Sequence, residues 1–257
     1  MLFDTHAHLD DEKYVEDQEE TIDRARKNGV SYICNIGYNR ETIESTLELA
    51  RRYDFIYAAI GWHPQEAIHM KDADIQWMEE LARNEKKVVA IGEIGLDYYW
   101  DTSPKEVQLE VFRQQICMAK RLQLPIIIHD REAHQDILTI LREEKAEEVG
   151  GIMHCFSGSV EMAKECMDLN FYISLAGPVT FKNAHKPKEV AKAVPLDRLL
   201  VETDCPYLTP HPFRGKRNES GYVRYIAEEV ASLKEVSFEK LAEITTKNAK
   251  RVFQLTE

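Results

Sequence analysis

The chain has 257 residues, 44% of them hydrophobic, with only 11 glycines and 9 prolines, so a packed core is expected and a disordered or fibrous chain is excluded. Its 45 acidic and 33 basic residues leave a formal charge of -12. That balance argues against long-range attraction to nucleic acid or anionic membrane, but not against a polyanion held by divalent cations or a locally basic rim. Five widely spaced cysteines form no CxxC pair, and there is neither an apolar leader-like stretch nor a run of about 18 apolar residues. The expectation is a reduced, soluble, cytoplasmic protein with no membrane segment.

The first strand is read at Leu2 to His8 within MLFDTHAHLD. Side chains at i and i+2 of a strand share a face, so His6 and His8 can meet one ion. A helix follows over Val15 to Lys27, ended by Asn28-Gly29. Then come a strand at Val30 to Ile36, a helix at Arg40 to Arg52, and a strand at Phe55 to Ile60 closing on Gly61-Trp62-His63-Pro64. A helix at Ile75 to Arg83 leads to a fourth strand, Val88 to Ile91, which ends in Gly92-Glu93-Ile94-Gly95-Leu96-Asp97.

Pro104 suits the start of a long helix running to Arg121. The fifth strand is Pro125 to His129, an unbroken apolar run fit for burial on both faces. A helix at Ala133 to Glu144, a strand at Gly151 to His154, a helix at Val160 to Leu169 and a strand at Phe171 to Leu175 follow. The pattern ends with a short helix at Glu189 to Ala193, an eighth strand at Leu199 to Glu202, and helices at Gly221 to Leu233 and Phe238 to Phe253. Eight apolar strands alternating with helices predict an α/β fold, a (β/α)8 TIM barrel forming a single domain over 1–257. A doubly wound open sheet has the same alternation and is the alternative.

Polar residues favour the barrel. His6 and His8, His63, Glu93, His129, His154 and Asp204 mark the C-terminal ends of successive strands, which a barrel gathers at one mouth and an open sheet spreads along an edge. Four histidines and two carboxylates exceed what one tetrahedral zinc needs. They suit two divalent ions about 3.5 to 4 Å apart, bridged by a carboxylate and a water or hydroxide. Glu93 is the expected bridge, with His6, His8 and Asp204 on one ion and His129 and His154 on the other. Asp204 beside the attacking water is the expected general base. The donors leave zinc, nickel, cobalt, manganese and magnesium all open.

Other residues have two readings each. His63 either ligates or lines the pocket, Asp4 is either a buried partner or a support for the ligands, and Asp97 is either a turn residue or a hydrogen-bond partner of a ligand. His134 falls on the helix after the fifth strand, and His69, His185 and His211 are given no metal role. Cys155 and Cys205 flank expected ligands, so strand alternation should turn both sulfurs outward, away from nucleophilic duty.

The motifs FDTHAH, GWHP, GEIGLDYY, IH at Ile128-His129, HCFSG and VETDCP, in this order across nearly the whole chain, resemble the TatD family of metal-dependent deoxyribonucleases in the amidohydrolase superfamily. The resemblance implies a TIM barrel with a two-metal site that hydrolyses DNA phosphodiesters, commonly as a 3'-to-5' exonuclease on single strands. It matches His6, His8, Glu93, His129, His154 and Asp204 to the family's ligands and His63 to a residue meeting substrate phosphate. Ser220 stands where the family usually has Pro, in a turn outside this set. Some relatives are linked to removing D-amino acids from transfer RNA.

Local charge supports a phosphate substrate. Lys182, Lys186 and Lys188 follow the seventh strand, and Arg214, Lys216 and Arg217 follow the eighth, so both clusters should stand at the mouth. The second, tight and arginine-rich, is the expected substrate-binding group. Trp62, Tyr98, Tyr99, Trp100 and Phe181 are candidate stacking surfaces for bases. DNA ends, mostly single-stranded, are the expected partner, with no obligate protein partner and a monomer as the default. An ester hydrolase such as a D-aminoacyl-tRNA deacylase is the alternative, and a non-catalytic metal-binding scaffold a remote third. Internal cutting is disfavoured because few basic residues are available for a long footprint.

Overall fold

The computed structural model describes residues 1–255. Eight strands form one parallel sheet: β1 (Leu2–Ala7), β2 (Val30–Gly37), β3 (Ile56–Ile60), β4 (Val88–Asp97), β5 (Ile126–Arg131), β6 (Gly151–Met153), β7 (Phe171–Leu175) and β8 (Leu199–Val201), in sequential order. Each is followed by a helix: α1 (Gln18–Lys27), α2 (Arg40–Arg52), α3 (Asp72–Asn84), α4 (Lys105–Leu122), α5 (His134–Glu143), α6 (Val160–Asp168), α7 (His185–Ala193) and α8 (Val223–Leu233), with α9 (Phe238–Val252) last. The strand order rules out the doubly wound sheet. The fold is a (β/α)8 barrel.

Closure falls on the ends of β1 and β8. Ala7 bridges Cys205 in parallel, the His8 N–H donates to the Cys205 carbonyl at 2.8 Å and the Asp204 N–H to the His6 carbonyl at 2.9 Å. Asp4, fully buried, accepts from the Thr203 N–H at 2.8 Å and the Thr203 hydroxyl at 2.6 Å. Of its two readings the structure gives the buried partner, a polar clasp across the barrel's seam.

Two apolar layers explain the alternation seen in sequence. Phe3, Cys34, Ile36, Ala59, Val89, Ala90, Ile127, Ile152, Tyr172 and Leu200, one or two per strand, fill the barrel interior. Val252 and Phe253 stopper it from below, with the Phe253 ring 5.5 Å from Phe3. The other faces of the strands pack on the helices in a larger cluster. Strands buried on both sides therefore read as continuous apolar runs, as β5 does. The bottom is sealed by side chains, and only the opposite end can hold a site.

Helix and strand limits fall within three residues of the sequence reading except at two places: β4 runs on to Asp97, six residues past the expected Ile91, and α7 starts four residues early. α1 begins at Gln18, not Val15, because Glu12–Tyr14 first makes a 3-10 turn, and α7 begins at His185, ahead of the expected Glu189. No helix among the described residues is long and apolar enough to cross a membrane.

Candidate metal centre

The glycines of GEIGLD shape the site. A Cβ on Gly92 would meet the Ile127 Cβ at 2.6 Å, and one on Gly95, whose φ is +146°, would meet the His129 carbonyl at 2.0 Å. Both let β4 press against β5, which brings the Glu93 carboxylate to His129.

Two sets of donors share Glu93. On one side its Oε2 lies 3.3 Å from His6 Nε2, which is 3.3 Å from His8 Nε2, and Asp204 Oδ1 stands 3.7 Å and 3.5 Å from the two imidazoles. Four donors at zinc-like distances around one tetrahedral centre have edges of about 3.4 Å. The observed separations match that figure.

On the other side Glu93 Oε1 lies 2.7 Å from His129 Nδ1, 3.6 Å from His154 Nε2 and 3.7 Å from His63 Nε2. His6, His8 and Glu93 form one group able to hold an ion, and His63, Glu93 and His129 another, whereas His154, expected beside His129, groups with His6 and Glu202.

The electrostatics call for positive charge at this place. Burial would raise the Glu93 and Asp204 carboxyls, but His154, His6 and further imidazoles hold both below the ordinary range. Burial works against protonation of His129 and His154 too, yet Asp97 and Glu93 lift the former to about 9, and Glu202, Glu93 and Asp204 lift the latter to about 10. The carboxylates thus draw protons onto two imidazoles, a role that divalent cations fill when the same nitrogens are deprotonated. The donor set fits such ions.

A second ring of residues orients the first. Asp97 Oδ2 lies 2.9 Å from His129 Nε2 and also accepts from Gln65 Nε2 at 3.0 Å. Glu202 Oε1 lies 2.7 Å from His154 Nδ1 and accepts the Cys155 N–H at 2.6 Å, while its Oε2 accepts the Ser174 hydroxyl at 2.6 Å. Such pairs fix which ring nitrogen faces an ion. His63 Nδ1 accepts the Gln65 N–H at 3.1 Å, which leaves its proton on Nε2, pointing into the site as a donor.

The sequence model of the TatD-related DNases matches residues 3–254. The uncharacterized metal-dependent hydrolase YabD of Bacillus subtilis (strain 168) is 63% identical over 255 residues, spanning 99% of this chain and 100% of that protein. This chain belongs to the TatD-related DNase family. The uncharacterized metal-dependent hydrolase YcfH of Escherichia coli (strain K12) is 41% identical over 99% of this chain and 96% of its own length. The crystal structure of YJJV, a TatD homolog from Escherichia coli K12, superposes with a TM-score of 0.93 at 30% identity, covering 99% of this chain and 98% of that one. The chain is a metal-dependent hydrolase, and its TatD-type fold carries the donors at the barrel mouth.

Some residues sit differently from their sequence reading. Trp62 is buried, its indole N–H donating to the Glu66 carbonyl and its backbone clasped by Gln115, so it offers no stacking face. Arg217 is held by Asp17, two bonds at 2.7 Å, and donates to the Lys13 carbonyl, a tie between the loop after β8 and the start of α1. Arg214 and Lys216 remain exposed, Arg214 lying 4.0 Å over the Phe181 ring. Lys188 pairs with Glu229 at 3.0 Å.

Cys155 departs from simple alternation. Its φ of +41° breaks the strand pattern, and burial together with Asp204, Glu202 and Glu93 pushes its thiol well above the usual range. The nearby carboxylates keep the thiol protonated and unreactive. Cys205 is turned away among Asp4, Thr203 and Tyr14, as alternation requires.

Glu202, Gln65, Gln108 and Gln115 escaped the sequence reading. Gln108 and Gln115 are polar residues on the otherwise apolar buried face of α4, and Glu202 is a charge closing a buried strand. A charge or amide at a core position was the available signal.

Proposed function

We propose that this chain hydrolyses DNA phosphodiester bonds, removing nucleotides from the 3' ends of single strands. The observation that carries the reading is the division of one carboxylate, Glu93, between two donor sets only a few ångströms apart at the open end of the barrel. When bound there, two divalent ions supply Lewis acidity toward a phosphoryl oxygen and a strong nucleophile at neutral pH. His6, His8, Glu93 and Asp204 would hold one, and Glu93, His129 and His154 the other.

The chain's own groups do the rest. Asp204, whose backbone sits at φ +56°, aims its carboxylate at the shared space and is placed to take the proton of the attacking water. His63, neutral because burial and His129 lower it to about 3, offers its Nε2 proton to a phosphate oxygen. Arg214 and Lys216 supply further contacts to the backbone of the strand. The small number of basic residues in the chain favours a terminus over an internal site with a long footprint, which supports end-directed cutting.

The test is to strip the protein with chelator, restore magnesium, manganese, cobalt, nickel or zinc, and present end-labelled single- and double-stranded DNA beside a D-aminoacyl-tRNA. Mononucleotides released from 3' ends are expected. Release of the aminoacyl group with no cleavage of DNA under any ion would replace the nuclease with an ester hydrolase on the same donors.

A further inference from the structure

The apolar side chains left open to solvent are not scattered over this molecule. Apart from Met1, the large ones among the described residues are Val15, Ile68, Tyr99, Trp100, Tyr207 and Leu208, and every one lies in a connection leaving the C-terminal end of a strand. Apolar surface gathered on one face marks a binding face.

Within that face one cluster combines stacking surface with unspent charge. Tyr99 and Trp100 are 51% and 49% exposed and meet edge to face with centroids 4.9 Å apart. The Arg131 guanidinium lies 3.9 Å over the Tyr99 ring and 5.6 Å from that of Trp100. Most arginines of the chain, Arg24, Arg40, Arg113 and Arg121 among them, are paired with carboxylates. Arg131 has no carboxylate partner among the described residues, so its N–H donors are available to a ligand.

The cluster is tied to the metal centre by Asp97. Asp97 Oδ1 accepts the N–H groups of Tyr99 at 3.0 Å and Trp100 at 3.1 Å, while Oδ2 holds His129 Nε2 at 2.9 Å. Arg131 stands two residues beyond His129 on β5, about 6 to 7 Å along the strand. The Tyr98 N–H donates to its carbonyl at 2.9 Å, so the ends of β4 and β5 advance together.

We infer that Tyr99, Trp100 and Arg131 form a nucleotide subsite next to the cleaved phosphate: one ring of the perpendicular pair stacks a base without regard to its identity while the other borders its edge, and the guanidinium holds the phosphate attached to it. This rests on DNA being the substrate. It gives the enzyme a reason to need a base at one defined position and not elsewhere.

The experiment uses the ion-loaded full chain and single-stranded oligonucleotides in which the nucleotides flanking the cleaved bond are made abasic one at a time. At one position the missing base is expected to raise KM about 5- to 160-fold, the range for losing a base–aromatic stack. The same abasic strand should leave KM of a Tyr99→Ala/Trp100→Ala variant unchanged, since the partner is already gone. Arg131→Met should raise KM for intact and abasic strands alike.

A second measurement does not depend on turnover. A non-cleavable phosphorothioate strand should quench the tryptophan emission of the native protein, and Trp100→Phe should lose that quenching. Turnover indifferent to the base at every position would overturn the subsite while the nuclease reading stands. Base-dependent quenching without turnover would sink the nuclease and with it a subsite beside a cleaved phosphate, leaving only a surface that binds nucleotides. Neither turnover nor quenching would overturn both.

Discussion

Glu93 is the residue on which both donor sets depend, because its two oxygens face different imidazoles, and the residues around it divide into those that meet an ion and those that aim them. Asp204→Asn keeps the shape of the side chain but removes the proton acceptor, so kcat should fall about 10²- to 10⁴-fold while the circular dichroism spectrum is retained. Glu202→Gln acts one step back. A neutral amide has one oxygen where the carboxylate served His154, Cys155 and Ser174 with two. Ion affinity measured by titration calorimetry should drop about 10- to 100-fold. The lifted His129 and His154, near 9 and 10, bear protons at neutral pH when no cation is present. Cation uptake must expel them, so apparent affinity should climb with pH, and calorimetry at pH 7 in buffers of different ionisation heat should count about two protons released. The sign for folding runs the other way: these raised imidazoles stabilise the ion-free fold below their unfolded value of 6.5, and that contribution disappears as pH rises through about 9 to 10. His6, His8, Glu93, His129, His154 and Asp204 could be named as candidates from sequence because each stands at or just past an apolar run. Glu202 was not, since its importance comes from β6, β7 and β8 pointing His154, Ser174 and Glu202 into one small volume.

Among the elements, β4 carries most of the functional geometry and has the least tolerance for change. Gly95 lies in a backbone conformation L side chains rarely adopt, with the His129 carbonyl where a Cβ would go. Gly95→Ala should therefore cost about 3 kcal/mol or more in a urea titration, since steric overlap adds to backbone strain, and should displace His129 from Glu93. The glycine punctuation of GEIGLD was visible in sequence, but its reason, the approach of β5, needed the paired strands. The loop after β8 shows the opposite situation. Its Arg214, Lys216 and Arg217 look alike in a sequence, yet Asp17, 200 residues earlier, takes Arg217 for a structural tie and leaves the other two exposed. Trp62 likewise looked like a mouth aromatic until Gln115 of α4 was found holding its backbone.

At the scale of the whole molecule, strand order is what separated a barrel from an open sheet, and no periodicity contains it; the clustering of metal-capable residues at strand ends was the sequence's nearest proxy. The barrel's lower end is filled by Phe3, Tyr32, Tyr57 and Phe253, so the fold stands without ions, and ions add to it by binding the folded form alone. Each ion at about 100 times its dissociation constant should contribute about 2.7 kcal/mol, which for a chain of this size is a rise of about 5 to 10 °C in Tm, reversed by chelator in a calorimetric scan. One carboxylate would give the proposed reaction a temporal order. Asp97 grips His129 with one oxygen and the aromatic loop with the other, so under the proposed reading filling the inner centre should stiffen the surface that takes the base. Cations should then come first and the strand second, and protein stripped of metal should hold its thread with a slackened grip.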